Sequence, residues 1–302
     1  MRIEDTYGRL LTESQMTDDL KEMAQELPTI EKQNGRYQCF RCGSMIDQKF
    51  WKLSEEVLYC RACIRLGRIR SDQKLYAIAQ QDFEGQEVLN WKGSLTSYQQ
   101  QVSDGLIQAV KEEKNALVHA VTGAGKTEMM YQVVARVIKK GQAVCIATPR
   151  IDVCIELYGR MKEDFSCKIS LLHGESDPYF RTPLVIATTH QLLKFYQAFD
   201  LLIIDEVDAF PYVDNPMLYK AVQNAVKKNG NTLFLTATST DELDKKVKKK
   251  EIIRYSLPRR FHGNPLVVPE IKWVSKIREK IEKGRMPKEL LQLIKKQRQT
   301  HY

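Results

Sequence analysis

A glycine-rich turn followed by a lysine and a threonine is the first feature of the sequence that could do chemistry. The stretch reads "AVTGAGKTEMM" and includes the end of the apolar run "NALVHA". Backbone N–H groups in such a turn, together with the positive end of the helix after it, bind phosphate oxygens. Lys126 would contact the β- and γ-phosphates of ATP, and Thr127 would hold Mg²⁺. The predicted nucleotide loop consists of Thr122, Gly123, Ala124, Gly125, Lys126 and Thr127.

Two acids after a second apolar run could complete a site for phosphate transfer. The run "LLII" is followed directly by Asp205 and Glu206. The first carboxylate would help to hold Mg²⁺, and the second would polarise the attacking water. One acid alone would be an ordinary loop at a strand end, whereas two acids in this position favour catalysis. We therefore predict Lys126, Asp205 and Glu206 as the catalytic residues.

Four of the seven cysteines form two C-x2-C pairs, "CFRC" and "CRAC". Each pair can sit on a tight turn that aims two thiolates at one point, and two such turns complete a tetrahedral sulfur shell. Two disulfides, which a reducing compartment disfavours, and an iron–sulfur cluster are the alternatives. Nearby arginines and aromatic residues could grip a nucleic acid strand, or the aromatic rings could form the module's own core. We predict structural zinc at Cys39, Cys42, Cys60 and Cys63.

Short apolar, β-branched runs alternate with helix-like segments from residue 96 onward. This alternation is typical of a parallel sheet with helices on both faces, so the predicted fold class is α/β. The segment "SYQQQVSDGLIQAVKEE" is predicted to be an amphipathic helix, and "MPKELLQLIKKQRQTHY" a basic one. The six predicted strands are "NALVHA", "QAVCIAT", "KISLLH", "PLVIATT", "DLLIIDE" and "NTLFLTAT".

The basic charge of the chain is confined to its last part. Residues 241–302 hold 18 Lys and Arg against 8 Asp and Glu, whereas residues 1–240 hold 29 against 30. Such an excess indicates a polyanion partner, either nucleic acid or an anionic membrane surface, although a solvated face of the helix at "DELDKKVKKKE" is the simpler alternative.

No apolar run reaches the length of about 18 residues that spans a membrane, and the acidic N-terminus differs from a secretory signal. We therefore predict a cytoplasmic chain.

Over residues 95–240 these motifs resemble, in their order, those of superfamily 2 helicases. "AVTGAGKT" is similar to motif I, "DEVD" to motif II and "TAT" to motif III, while "TPR" and "ATTHQLL" are similar to strand-contact motifs. The resemblance implies one RecA-like P-loop NTPase domain, in which Gln99 reads adenine and Thr236 and Thr238 couple hydrolysis to strand movement. Helix capping is the alternative role for threonines at strand ends. The implied DNA contacts are Thr148, Pro149, Arg150, Thr188 and Thr189.

The four-cysteine module ahead of this domain, together with "LPRRFHGNPL" after it, resembles the ComFA family. That resemblance implies a single-stranded-DNA-stimulated ATPase that uses ATP, Mg²⁺ and Zn²⁺ in DNA uptake during natural transformation, at the inner face of the cell membrane. The implied partners are single-stranded DNA, ComFC-like and DprA-like competence proteins, the uptake channel and further copies of the chain. The alternative is a PriA-like replication-restart helicase, but that family carries its zinc segment within the second half of the motor.

The motifs divide the chain into four predicted parts. A helical segment spans 1–36, the zinc module spans 37–70, and the RecA-like domain spans 71–256 with a linker at 71–94. Residues 257–302 would be a connector and the start of a second RecA-like domain. Helicases of this kind bind ATP between two such domains, and the second supplies arginine fingers. The sequence has no "QxxGRxGR"-like motif, so we expect a partial chain with weak turnover on its own.

Two other functional classes fit parts of the sequence. A zinc-anchored nucleic-acid scaffold could use the nucleotide only as a switch, and a membrane-surface protein could use the basic tail on anionic lipid. A switch does not require a catalytic Glu206, so the intact pair of acids favours a motor.

Overall fold

The computed structural model describes residues 2–33, 35–54, 56–258, 277–284 and 286–298. The chain forms two compact units, Met1–Asn264 and Pro265–Tyr302. The irregular stretch predicted after residue 256 lies mostly outside the described residues.

Residues 10–77 form two antiparallel sheets of three strands each, in the orders β1-β6-β2 and β3-β4-β5. One short helix, α1, lies between the first two strands. The elements are β1 (Leu10–Thr12), α1 (Asp18–Met23), β2 (Gln25–Pro28), β3 (Ile30–Gln33), β4 (Arg36–Cys39), β5 (Met45–Ile46) and β6 (Lys74–Ala77).

The helical element that the sequence suggested in residues 1–36 is α1, with two short 3-10 turns, and the rest of the segment includes the strands β1, β2 and β3. β6, which the sequence places in a linker, is the central strand of the first sheet and pairs with both β1 and β2. Leu75 is fully buried there. Pairing between strands more than 45 residues apart leaves no local pattern, which is why the sequence suggested a linker.

A seven-stranded parallel sheet follows between residues 115 and 257, in the order β13-β7-β12-β11-β8-β10-β9. All six predicted strands are confirmed, and so is the α/β class. The seventh strand, β13, was missed because only its two ends are buried. The strands are β7 (Asn115–Ala120), β8 (Val144–Thr148), β9 (Ile169–Leu172), β10 (Leu184–Thr188), β11 (Phe199–Ile204), β12 (Val226–Thr236) and β13 (Ile252–Leu257).

Helices cover both faces of this sheet, because alternate residues of each strand point to opposite sides. Leu201 and Ile203 join the core beneath α2, α3 and α4. Leu202 and Ile204 join the core beneath α5, α6 and the cysteine module. The helices are α2 (Ser97–Lys111), α3 (Lys126–Lys139), α4 (Ile151–Asp164), α5 (Pro216–Ala225) and α6 (Asp241–Lys248).

The second unit contributes α7 (Ile277–Glu282) and α8 (Lys288–Arg298). The predicted basic helix near the C-terminus is confirmed in α8. In the part of the chain that the structure describes, we find no helix long and apolar enough to cross a membrane.

The helices α3 and α4 are joined through the fully buried ring of Tyr131. The ring meets Trp91 and Phe165 edge-on, at centroid distances of 5.6 and 5.3 Å. Its hydroxyl donates to Asp164 Oδ2 over 2.6 Å. Because burial and this carboxylate raise the pKa of Tyr131, the hydroxyl keeps its proton and remains a donor.

Replacing Tyr131 by Phe keeps the ring but removes that donor. We expect the free energy of unfolding to fall by about 1–2 kcal/mol, because the Asp164 carboxylate loses a partly buried hydrogen bond. Chemical denaturation followed by tryptophan fluorescence measures this change. Tyr158→Phe, on the partly exposed side of α4, is the control and should change stability by less than about 0.5 kcal/mol. Equal stability of Y131F and the parent chain would contradict the prediction.

Candidate nucleotide and metal sites

A cavity of 790 Å³ opens at the carboxyl ends of β7, β11 and β12. In a parallel sheet this edge is where ligands bind. The cavity brings together the whole predicted nucleotide loop, the predicted adenine reader, both predicted catalytic acids, and two residues assigned to other roles. Its lining includes Gln99, Thr122, Gly123, Ala124, Gly125, Lys126, Thr127, Arg150, Asp205, Glu206 and Thr236.

The glycine-rich loop has the backbone that a phosphate cradle requires. Gly123 and Gly125 have φ of 76° and 74°, in the left-handed region that favours glycine. Gly125 is also the residue before α3, so the unpaired N–H groups of the first helical turn face the cavity. Lys126 folds back along the loop, and its Nζ donates to Ala120 O over 3.0 Å. The charge is therefore held beside the cradle.

Gln99, the predicted adenine reader, ties α2 to this loop. Its Oε1 accepts hydrogen bonds from Thr96 N and Thr96 Oγ1, at 2.9 and 3.0 Å. Its Nε2 donates to Ala124 O over 2.8 Å. A side chain at Gly125 would collide with this amide. One Nε2 hydrogen remains for a ligand, so adenine reading stays a prediction, while the contact with the loop is a structural role that the sequence did not suggest.

The two acids after β11 differ in environment. Burial raises the pKa of Asp205 to about 6, and Asp205 Oδ1 accepts from Glu206 N over 2.9 Å. Glu206 adopts φ of 53°, and its Oε2 is buried with no hydrogen-bond partner among the described residues. Unpaired buried carboxylate oxygens are costly unless a cation or water joins them. With the Thr127 hydroxyl in the same cavity, this donor set fits Mg²⁺ and a bound water.

Motif II and motif III are joined by a hydrogen bond that the sequence did not single out. Thr236 Oγ1 donates to Asp208 Oδ1 over 2.7 Å, and Thr238 N donates to Thr236 Oγ1 over 3.0 Å. Asp208 is the last residue of "DEVD", and the sequence indicated no role for it. Its role was hidden because the partner lies 28 residues further along the chain.

The five predicted DNA contacts lie at the ends of β8 and β10, which are neighbours in the sheet. Thr148 and Thr188 are directly paired in register. However, Thr148, Thr188 and Thr189 are buried, as is Pro149, so their side chains do not face solvent. Contact of these threonine hydroxyls with DNA stays a prediction, and in this conformation the three side chains are buried. Arg150 alone exposes its side chain, beside Asp152.

Arg160 is a cavity residue that the sequence did not indicate. It belongs to α4, and its Nη1 donates to Thr127 Oγ1 over 3.4 Å. Its Nη2 pairs with the carboxylate of Glu128. No motif predicts this contact, since it depends on how α4 lies against α3.

The four predicted zinc ligands converge on one point. All are buried, and their sulfur atoms lie within 4.8 Å of one another. The pairs Cys39–Cys63 and Cys42–Cys60 are 3.8 and 3.6 Å apart at sulfur. Zn–S bonds of about 2.3 Å in a tetrahedron place sulfur atoms about 3.8 Å apart, whereas a disulfide needs about 2.05 Å. The geometry therefore fits a four-coordinate metal, and all seven cysteines are free.

Arg41, one of the two residues between Cys39 and Cys42, supports this shell. Arg41 is 1% exposed, and its Nε donates to Cys63 Sγ over 3.4 Å. Its other nitrogens donate to the carbonyls of Cys63, Leu66 and Gly67. A buried guanidinium beside thiolates offsets part of their negative charge. Asn224 at the end of α5 donates to Phe40 O and Arg41 O, which fixes the cysteine module to the sheet domain.

Comparison with known proteins matches the N-terminal region with the cysteine module and the parallel-sheet region to two different families. The family described as "Competence protein ComFA N-terminal domain" matches residues 10–77, and "Type III restriction enzyme, res subunit" matches residues 92–241. The chain is 60% identical to Competence protein ComFA of Streptococcus pneumoniae, over 99% of this chain and 69% of that protein. The chain belongs to the ComFA family.

Two further relatives extend the comparison. Competence protein ComFA of Bacillus subtilis is 40% identical, over 83% of this chain and 56% of that protein. Replication restart protein PriA of Bacillus subtilis is 25% identical, over 63% of this chain and 25% of that protein. The chain thus spans 69% of the length of the Streptococcus pneumoniae ComFA and 56% of the length of the Bacillus subtilis ComFA.

The raised pKa of Asp205 predicts how the stability of the chain changes with pH. An unfolded Asp has a pKa of about 3.9, so the folded, metal-free chain loses stability as the pH rises from about 4 through 6. Asp205→Asn keeps an acceptor for Glu206 N but carries no charge. At pH 8 in a chelator we expect the variant to be more stable by about 1–3 kcal/mol, with the difference shrinking towards pH 4.

Thermal melting across this pH range measures the effect. Asp177→Asn removes an exposed carboxylate and is the control, with no change expected. An Asp205→Asn variant that melts at or below the parent temperature at pH 8 would show that the carboxylate is not destabilised by its burial.

Proposed function

We propose that this chain is the nucleotide-binding part of an ATP-driven motor that moves single-stranded DNA. The observation that carries the proposal is that Glu206, whose Oε2 is buried and unpaired, lines the same cavity as the phosphate loop. An oxygen of this kind has a use when a water must be held and polarised, but it only costs stability in a passive scaffold.

The chain's own residues would divide the work of hydrolysis. The N–H groups at the start of α3 and the Lys126 ammonium hold the phosphates. Thr127 and Asp205 are the residues that would hold Mg²⁺, which supplies charge neutralisation at the β- and γ-phosphates when bound. Glu206 would orient the attacking water through its carboxylate. The Asp208–Thr236 hydrogen bond links the hydrolytic strand end to the predicted coupling segment.

Competence is the setting that the ComFA relatives support. Their names connect the family with competence proteins, and the sheet domain has the resemblance to strand-moving ATPases described above. Single-stranded DNA is the proposed polyanion, with Arg150 as its exposed contact beside the nucleotide cavity. A PriA-like role in replication restart is the second candidate, since PriA is similar over 63% of the chain. The match of the cysteine module to the ComFA N-terminal domain favours the first.

The remaining partners are proposed from family resemblance alone. They are ComFC-like and DprA-like competence proteins, the DNA uptake channel and further copies of this chain, at the cytoplasmic face of the cell membrane.

Sedimentation of the chain with single-stranded DNA and, separately, with anionic liposomes tests which polyanion it prefers. Binding to liposomes alone would contradict the DNA proposal.

ATP hydrolysis with and without single-stranded DNA at low salt tests the motor directly. We expect slow turnover that DNA accelerates, since arginine fingers contribute on the order of 10³ in related enzymes and this sequence lacks their motif. Lys126→Ala should abolish nucleotide binding. Glu206→Gln should retain binding but lose at least about 10²-fold in turnover. Lys140→Ala, at the opposite end of α3, is the matched control.

The same variants distinguish a motor, which needs ATP hydrolysis, from a nucleotide switch, which needs only nucleotide binding. If Glu206→Gln still supports transformation in cells, hydrolysis is dispensable and the nucleotide acts as a switch. If DNA changes neither turnover nor nucleotide affinity, the motor proposal fails.

We propose zinc as the metal of the cysteine module. We expect about one zinc per chain by elemental analysis, and Cys60→Ser should lose it because three thiolates leave the shell open. Arg41→Met should keep the cysteines but weaken zinc binding about 10- to 100-fold, since the guanidinium supports Cys63 from outside the shell. Cys167→Ser, far from the cluster in sequence, is the control. Iron in place of zinc, or full zinc retention in Cys60→Ser, would contradict the assignment.

A further inference from the structure

Glu128 poses an electrostatic problem for the proposed nucleotide site. It lies in the first turn of α3, where the helix end and the free N–H groups attract anions. Its Oε2 reaches the phosphate loop itself, since a Cβ on Gly125 would stand 3.1 Å from it. A carboxylate in this position competes with phosphate for the same N–H groups and repels a triphosphate.

Arg160 is placed to remove this conflict. Its guanidinium pairs with Glu128 and also reaches the Thr127 hydroxyl, so one cation contacts two consecutive residues of the phosphate-binding turn. Both side chains line the nucleotide cavity. They are only partly exposed, at 41% for Arg160 and 25% for Glu128, so solvent screens the pair less than it would a fully exposed pair.

We propose that Arg160 is a positioning residue of the nucleotide site, which neutralises Glu128 and fixes its carboxylate in one orientation beside the phosphate loop. The inference rests on the proposed function, because it assumes that the cavity binds a nucleotide. It goes beyond the known motifs by assigning a role to a residue of α4 outside all of them. Arg160 acts through Glu128 and need not touch the phosphates.

If Arg160 acts by neutralising Glu128, the nucleotide affinities of the parent chain, the two single variants and the double variant should follow a specific pattern. Arg160→Ala leaves Glu128 uncompensated, and we expect ATP affinity to fall about tenfold. ADP carries less charge, so its affinity should fall less, and adenosine should be unaffected. Glu128→Gln should bind ATP at least as tightly as the parent chain. The double variant Arg160→Ala/Glu128→Gln has neither charge and should return to within about threefold of the parent.

Isothermal titration calorimetry with ATP, ADP and adenosine, in the presence of Mg²⁺, gives these affinities. Arg136→Ala removes an exposed arginine from the last turn of α3 and controls for net charge. Recovery of affinity in the double variant also shows that the Arg160→Ala fold is intact, since a merely structural arginine would not be rescued by a second substitution.

Two results would overturn the inference. Unchanged ATP affinity in Arg160→Ala would mean that the ion pair is without effect on the ligand. A double variant as weak as Arg160→Ala would mean that the guanidinium contacts the nucleotide directly. Failure of the proposed function is a separate outcome, because the parent chain itself would then bind no ATP, and this result would remove the basis of the inference as well.

Discussion

The parallel register of β7, β12 and β11 is the constraint on which the nucleotide site depends. His119 pairs with Thr236, and Phe234 pairs with Ile204, so three strands end at the same edge of the sheet. Because of this register, the glycine-rich loop after β7, the acids after β11 and Thr236, the predicted coupling residue of β12, line one cavity. Segments more than 100 residues apart in sequence therefore meet without any long connecting structure.

The charges at this edge are arranged for a ligand that carries both signs. Burial raises the pKa of Asp205, and Glu206 has an unpaired buried oxygen, so the acids are unfavourable alone. The cradle in the same cavity consists of N–H groups and Lys126, whose ammonium donates to the carbonyl of Ala120 at the end of β7. The proposed Mg²⁺–triphosphate complex would bring a cation to the acids and anions to the cradle. Such a ligand would stabilise the folded chain by binding to it, and would offset the cost of the buried acids.

Sequence patterns predicted the parts of the structure that depend on local chemistry. The phosphate loop, the acids after β11, the six strands and the four converging cysteines each have a signature within a few residues. Features formed by contacts between distant segments were missed or misassigned. β6 pairs with strands far upstream, Arg160 reaches α3 only through helix packing, and Asp208 meets Thr236 across the sheet. The buried threonines at the ends of β8 and β10 show the same limit, since a motif gives residue type but not exposure.

The cysteine module and the nucleotide site are joined through α5, which follows the acids of β11 and precedes β12. Asn224 at the end of α5 holds the carbonyls of Phe40 and Arg41, and the Phe40 ring lies 5.9 Å from that of Tyr196. Arg41 in turn donates to Cys63, so a continuous set of contacts runs from the sulfur cluster to the helix between motifs II and III. Disorder of the cluster would remove the acceptors of Asn224 and loosen the end of α5. A metal there would stabilise the segment between the predicted catalytic acids and the predicted coupling threonine without touching either.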